Sequence, residues 1–68
     1  MATGTVKWFN KTKGFGFIVP DEGDKDVFVH ITALLDSGLQ ELNEGQKVSY
    51  QYIEEPKGLK AVEIAAIE

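Results

Sequence analysis

Two short runs in the first half of the chain alternate, residue by residue, between two kinds of side chain. In Lys13–Ile18, a lysine and two phenylalanines alternate with two glycines and an isoleucine. In Val27–His30, two valines alternate with a phenylalanine and the histidine. Because successive side chains of a β-strand point to opposite faces, both runs are predicted to be strands with one aliphatic face and one aromatic face.

The aliphatic face is predicted to be the core. A core that carried Lys13 would bury an ammonium group, and an unpaired His30 there would cost about 1–3 kcal/mol. Ile18, Val27 and Val29 provide a core on the opposite parity. Leaving the phenylalanines largely exposed forgoes roughly 1.5–3 kcal/mol each, a sacrifice that calls for a functional reason. Exposed rings beside a cation are typical of surfaces that stack unpaired bases.

The rest of the chain is rich in β-formers and turn signals and holds almost no helix. Five short strands of this kind predict a small closed barrel, since closure removes the exposed edges of the sheet. The predicted strands cover Gly4 to Asn10, Phe15 to Val19, Asp26 to His30, Lys47 to Ile53 and Lys60 to Ile67. Turns are predicted at 21–25 and 54–58, and Thr32 is predicted to cap one helical turn that ends at Ser37 and Gly38.

Side-chain parity is less clear in the first strand. Val6 and Trp8 share one parity, and Lys7 and Phe9 share the other. A β-bulge would turn one ring of the Trp8–Phe9 pair outward, and the sequence leaves open which one. Further inward positions are predicted at Leu39, Leu42, Val48, Tyr50, Val62 and Ile64, with Tyr52 in or near the core.

The net charge of −4 is unevenly distributed. Residues 1–20 contain three lysines and no acid, whereas residues 21–68 contain four lysines and all eleven acids, which gives local charges of +3 and −7. Because the field around a surface decays within roughly 8–10 Å, a basic strip can operate on an acidic body. All the cations are lysines. Because arginine is the side chain best suited to form two hydrogen bonds with guanine, a chain without arginine should discriminate only modestly among nucleic-acid sequences.

Several other function classes find no support in the sequence. There is no cysteine for a disulfide or a thiolate metal site, and His30 is the only histidine, so we expect neither an enzyme nor a metal or other cofactor. The acidic loop at 21–26 lacks the glycine and glutamate of a calcium-binding EF-hand. No signal peptide or membrane span is evident. The expectation is one cytoplasmic domain over residues 1–68, without a small-molecule substrate.

Four segments together resemble the bacterial cold-shock domain family. The match runs in order along essentially the whole chain. It consists of Gly4-Thr5-Val6-Lys7-Trp8-Phe9-Asn10, Lys13-Gly14-Phe15-Gly16-Phe17-Ile18, Asp26-Val27-Phe28-Val29-His30 and Leu42-Asn43-Glu44-Gly45-Gln46-Lys47-Val48. The sequence departs from the family pattern at Ile31 and Leu39, where aromatic residues are usual or frequent.

This resemblance implies an all-β, five-stranded antiparallel OB-type barrel that binds single-stranded RNA and DNA on strands one to three and acts as an RNA chaperone. The contact positions carried over from the family are Lys7, Trp8, Phe9, Lys13, Phe15, Phe17, Phe28 and His30, and Ile31 is added as an apolar contact. We expect a monomer. The alternative is a protein-interaction or self-association module that uses the same aromatic patch.

Overall fold

Five strands and one short helix make up the computed structural model, which describes residues 2–23 and 25–67. The strands form a closed barrel in the order β1-β2-β3-β5-β4, which confirms the predicted five-stranded OB-type barrel. Asp24, in the predicted 21–25 turn, lies outside the described residues. The elements are β1 (Ala2–Asn10), β2 (Phe15–Pro20), β3 (Val27–His30), α1 (Ile31–Asp36), β4 (Lys47–Glu55) and β5 (Gly58–Ala66).

The barrel closes through one parallel pairing. β1 pairs antiparallel with β2 and β4, β2 with β3, and β4 with β5. β3 and β5 run parallel, with Phe28 opposite Lys60. The antiparallel arrangement implied by the family resemblance therefore holds for every pairing except this closing one.

The barrel interior is filled by aliphatic side chains and one tyrosine. Ile18, Val27 and Val29 are almost completely buried, which confirms the predicted inward face of β2 and β3. Leu42, in the long connection before β4, is also buried, and Leu39 packs against the core from its edge. The other buried hydrophobic residues are Val6, Ala33, Leu34, Val48, Tyr50, Ala61 and Ile64.

β4 continues beyond the end of this core. Tyr50 is 1% exposed, but Tyr52 is 51% exposed and every residue from position 51 to 58 lies at the surface. The prediction that Tyr52 is in or near the core is therefore wrong. Parity places Tyr52 on the side of Tyr50, but no core layer remains there for its ring to enter.

β5 does not keep a two-residue alternation. Its buried residues, Ala61 and Ile64, are three positions apart, and Glu63 between them has a positive φ of 50°. The alternation shifts at this point, so Val62 is only half-buried and the prediction that it points inward is wrong. The predicted inward position of Ile64 is confirmed. Its backbone N–H donates to Ser37 Oγ at 2.9 Å.

Helix α1 begins two residues earlier than predicted. Its N-cap is His30, whose Nδ1 accepts a hydrogen bond from the backbone N–H of Thr32 at 3.2 Å. The prediction that Thr32 is the cap is therefore wrong, because an imidazole nitrogen takes the acceptor role that a hydroxyl usually fills. The predicted end of the helix is confirmed, with Ser37 as C-cap and Gly38 at a φ of 82°.

Asp21 joins three parts of the barrel at the end opposite α1. Its carboxylate accepts a hydrogen bond from Thr3 Oγ1 at 2.8 Å and from Lys47 Nζ at 3.0 Å. Thr3 is in β1 and Lys47 begins β4, so the loop after β2 is tied to both strands. The Lys47 hydrogen bond, followed by the Thr3 hydrogen bond, lowers the pKa of Asp21 below its ordinary value.

Candidate nucleic-acid interface

Strand register brings five rings to the outer surface of β1, β2 and β3. Phe17 lies opposite Phe28, and Phe15 lies opposite His30, across the β2–β3 pairing. Trp8 lies opposite Phe17 across the β1–β2 pairing. Because directly opposed residues of a ladder point to the same face, the three strands present their rings side by side. We call Trp8, Phe15, Phe17, Phe28 and His30 the aromatic platform.

The rings of the aromatic platform contact one another. Trp8 lies 5.6 Å from Phe15 and 5.4 Å from Phe17, measured between ring centroids, in edge-to-face arrangements. Phe28 lies 5.8 Å from each of these phenylalanines and 6.3 Å from His30. These separations fall in the range where aromatic pairs attract by about 0.5–1.5 kcal/mol beyond area burial. The phenylalanines are consequently half-buried, and the prediction that they are largely exposed is wrong in degree.

A register shift in β1 determines which of its two rings joins the platform. The shift lies between Val6, which is 1% exposed, and Trp8, which is 37% exposed. Lys7 is the extra residue, and after it Trp8 faces outward while Phe9 packs against the core. The predicted bulge is confirmed and the open choice is settled. Among the predicted contact residues, Phe9 lies apart from the platform.

Gly16 allows β1 and β2 to approach closely behind the platform. A Cβ on Gly16 would contact the carbonyl oxygen of Trp8 and would lie 2.7 Å from Phe9 Cα. Real Cβ atoms essentially never come so near to backbone, so only glycine fits here. Gly16, which lies between the platform residues Phe15 and Phe17, therefore has a structural role that is separate from binding.

Lys13 is exposed in the turn that joins β1 to β2. Gly14 has a φ of 81°, so strand alternation starts after it and does not extend to Lys13 as predicted. The turn is held by Asn10 Oδ1, which accepts the Lys13 backbone N–H at 2.9 Å. Among the described residues, the Lys13 ammonium has no ion-pair partner. It is therefore available to an external phosphate.

Lys7 has a different electrostatic environment. Its ammonium donates to Asp26 Oδ2 at 3.1 Å, and both side chains are partly exposed. A phosphate that approached Lys7 would compete with this carboxylate. Sequence reasoning did not identify Asp26 as part of the site. Its only signal was its place as the first residue of the predicted third strand, which did not reveal its closeness to β1.

His30 and Ile31 lie where the platform meets α1. His30 Nδ1 accepts the Thr32 backbone N–H at 3.2 Å and lies 3.0 Å from Thr32 Oγ1. The Ile31 backbone N–H donates to the carbonyl oxygen of Gly14 at 2.8 Å, and its side chain packs over that glycine. Ile31 is therefore half-buried next to the β1–β2 turn, close to Phe15, which is opposite His30.

Within residues 2–23 and 25–67, no group of three or more histidine, cysteine, aspartate or glutamate side chains is arranged to hold a metal ion. No helix in the same ranges has the length and apolar character needed to cross a membrane.

Comparison with known proteins finds the same family by a family model and by individual relatives. A family model described as the 'Cold-shock' DNA-binding domain matches residues 2–67. The probable cold shock protein y4cH of Sinorhizobium fredii is 63% identical over 60 residues, covering 88% of this chain and 87% of the relative. The cold shock-like protein CspA of Stigmatella aurantiaca is 54% identical over 67 residues, covering 98% of each chain. The cold shock-like protein CspC of Shigella flexneri is 53% identical over 64 residues, covering 94% of this chain and 93% of the relative.

Proposed function

The chain belongs to the 'cold-shock' DNA-binding domain family, and on that premise we propose that it binds single-stranded RNA and DNA on the aromatic platform without catalysing a reaction. Binding of nucleic acid in general follows from the family. The preference for unpaired strands, the contact residues and the chaperone activity are the parts that we propose. We further propose that the protein acts as a monomer.

The observation that carries this proposal is the continuity of the five rings across three strands. Neighbouring ring centroids are 5.4–6.3 Å apart, so several successive bases can each find a ring. Base–aromatic stacking contributes about 1–3 kcal/mol per base and tolerates any sequence, because every base has a π-face. Bases inside a duplex already stack on each other, so only an unpaired strand offers its faces to the platform.

Lysine side chains near the platform supply the electrostatic part of binding. Lys13 is free to meet a phosphate, whereas Lys7 is paired with Asp26. Each neutralised phosphate of a single strand contributes about 0.7 to the slope of log affinity against log salt. With few lysines nearby, we expect a shallow salt dependence, and without arginine we expect modest discrimination among sequences.

Preferential binding of the open strand gives a mechanism for RNA-chaperone activity. A protein that binds one state of an equilibrium shifts the population toward that state by mass action. A hairpin in equilibrium with its open form would therefore open as protein is added, with no nucleotide hydrolysis. Regulation of transcription or translation would follow wherever such a hairpin controls expression.

A hairpin labelled with a fluorophore and a quencher at its ends tests this function. We expect fluorescence to rise with protein concentration in the absence of ATP, and the rise to shift to higher protein concentration in Phe17→Ala. A hairpin that stays closed at concentrations that saturate an unstructured strand of the same length would contradict the chaperone proposal.

Sedimentation without nucleic acid separates this function from its protein-interaction alternative. We expect a monomer whose platform is accessible. A dimer that dissociates in Phe28→Ala would show that the platform is occupied by a second copy and would contradict the proposed binding site.

A further inference from the structure

The row of outward side chains that crosses the aromatic platform continues beyond β3. The row runs from Trp8 to Phe17 and then to Phe28 through the antiparallel pairings. The parallel pairing then places Lys60 of β5 opposite Phe28. The next pairing places Ile53 of β4 opposite Lys60. Register alone therefore connects one side chain from each strand of the barrel.

The last two members of this row lie at the surface. Ala61, next to Lys60, is completely buried, so Lys60 points to the outer side of β5, and Ile53 is 47% exposed. Lys60 is half-buried, as expected for a lysine whose hydrocarbon stem lies along the protein surface while its ammonium reaches water. Within the described part of the chain, this ammonium has no ion-pair partner.

We propose that the bound strand continues from Phe28 across β5 onto β4, with Lys60 neutralising a phosphate and Ile53 contacting a base. This inference rests on the proposed function and extends its binding surface beyond β1–β3. It assigns to Lys60 and Ile53 a role that none of the sequence motifs indicated. The parallel pairing that closes the barrel makes the two surfaces continuous.

Acidic side chains restrict the path that the strand can take after Phe28. A groove of about 360 Å³ lies between α1 and β5, and Lys60 is one of its lining residues. The groove also contains Asp36 and Glu63, so it repels a polyanion. The row of paired residues from Phe28 through Lys60 to Ile53 contains neither carboxylate. It ends before Glu54 and Glu55, which follow Ile53 along β4.

A purely structural role for Lys60 makes a different prediction. If its stem only covers Phe28, then Lys60→Met keeps the apolar cover and should leave nucleic-acid binding unchanged. If its ammonium contacts a phosphate, then Lys60→Met should weaken binding and reduce the salt dependence. The methionine variant therefore separates the two roles without changing the packing greatly.

The experiment measures the affinity of two single strands at several salt concentrations. One strand is just long enough to cover the aromatic platform, and the other is twice as long. For the longer strand, Lys60→Met should reduce the salt slope by about 0.7. It should also reduce the affinity for that strand about eightfold at about 50 mM salt. Ile53→Ser should weaken the longer strand about threefold without changing the salt slope. Both variants should bind the shorter strand like the wild type.

Lys25→Met is the matched control, because it removes the same charge from an exposed lysine in the loop after β2. Lys25→Met should change the affinity for the two strands equally. This change should be smaller than the change that Lys60→Met causes in the affinity for the longer strand. One outcome overturns the extended path and leaves the proposed function standing. In that outcome the wild type binds both strands, Phe17→Ala weakens the binding of both, and Lys60→Met and Ile53→Ser bind both as the wild type does. If the wild type binds neither strand, the proposed function itself fails.

Discussion

The outer surface of β1–β3 and the outer surface of the β4–β5 hairpin both expose large apolar side chains, but they are organised differently. On the hairpin, Tyr52 is 51% exposed and Ile53 is 47% exposed, more than the 37% of Trp8 on the platform. Tyr52 has one described ring neighbour, the buried Tyr50 at 6.3 Å. Exposure alone therefore does not distinguish the proposed stacking surface from the hairpin. The platform differs in having rings that contact one another across three strands.

The largest expected effect comes from the packing behind the platform. Gly16→Ala would force apart β1 and β2, because the new methyl group would meet the backbone of Trp8 and Phe9. We expect a loss of about 3 kcal/mol in the free energy of unfolding, the upper end for overpacking. Urea unfolding followed by Trp8 fluorescence measures this loss.

The matched change on the hairpin is Gln51→Ala, at an exposed position of β4. It should change the free energy of unfolding by no more than about 0.5 kcal/mol. Equal stability of Gly16→Ala and Gln51→Ala would mean that the two surfaces tolerate change equally and would break the comparison.

Removing one ring from each surface tests their difference in binding. Phe17 contacts both Trp8 and Phe28, so Phe17→Ala should weaken single-strand binding by about 1–3 kcal/mol. Tyr52→Ala removes a more exposed ring and should change the affinity less than twofold. Fluorescence anisotropy of a labelled strand measures both, at a temperature where circular dichroism shows the variants folded. A larger loss from Tyr52→Ala would place the stacking surface on the hairpin.

The two lysines at the platform should contribute unequally. Lys13→Ala should lower the salt slope by about 0.7, the value for one phosphate contact. Lys7→Ala should lower it less, because Asp26 already neutralises Lys7. Affinities measured across a salt series give both slopes. Identical slopes for the two variants would show that the Lys7–Asp26 ion pair opens when the strand binds.

Asp21 provides the smallest expected effect, on stability rather than binding. Its pKa is lowered in the folded protein by hydrogen bonds from Lys47 and Thr3. A lowered folded pKa stabilises the protein above the unfolded value, and this contribution is lost as the pH falls through the folded value. Asp21→Asn should therefore be less stable than the wild type at neutral pH, and the difference should vanish in strong acid.

Unfolding free energies measured from neutral to acidic pH would check this prediction. Lys47→Met removes the main cause of the pKa shift and should flatten the same part of the profile. A profile for Asp21→Asn that runs parallel to the wild type at every pH would contradict the role assigned to this carboxylate.

Where strands are short and regular, sequence parity predicted the structure well. From Phe15 to Ile18 and along β3, residues alternate between platform and core, so the positions of Phe15, Phe17 and Phe28 followed from the pattern. The pattern failed where the backbone departs from alternation, at Gly14 and at Glu63, whose positive φ angles reorient the neighbouring side chains. In β1 the mixed parity itself was the signal of a bulge.

Other features depended on distances that a one-dimensional pattern does not contain. The parity of Tyr52 was read correctly, but the extent of the core along β4 was not visible. The ion pair between Lys7 and Asp26 joins residues 19 positions apart. The parallel pairing of Phe28 with Lys60 joins residues that are farther apart still. Such features follow from how the barrel closes, and no local signal in the sequence encodes them.

The central claim is that an unpaired strand stacks on the aromatic platform, and Trp8 reports on it directly because it is the only tryptophan. The measurement is a titration of Trp8 fluorescence with a short pyrimidine-rich strand, as RNA, as DNA and as the matching duplex, at low and high salt. We predict a saturable change with both single strands, weaker at high salt, and little change with the duplex. Unchanged fluorescence at low salt and near-millimolar strand, or an equal response to the duplex, would contradict the claim.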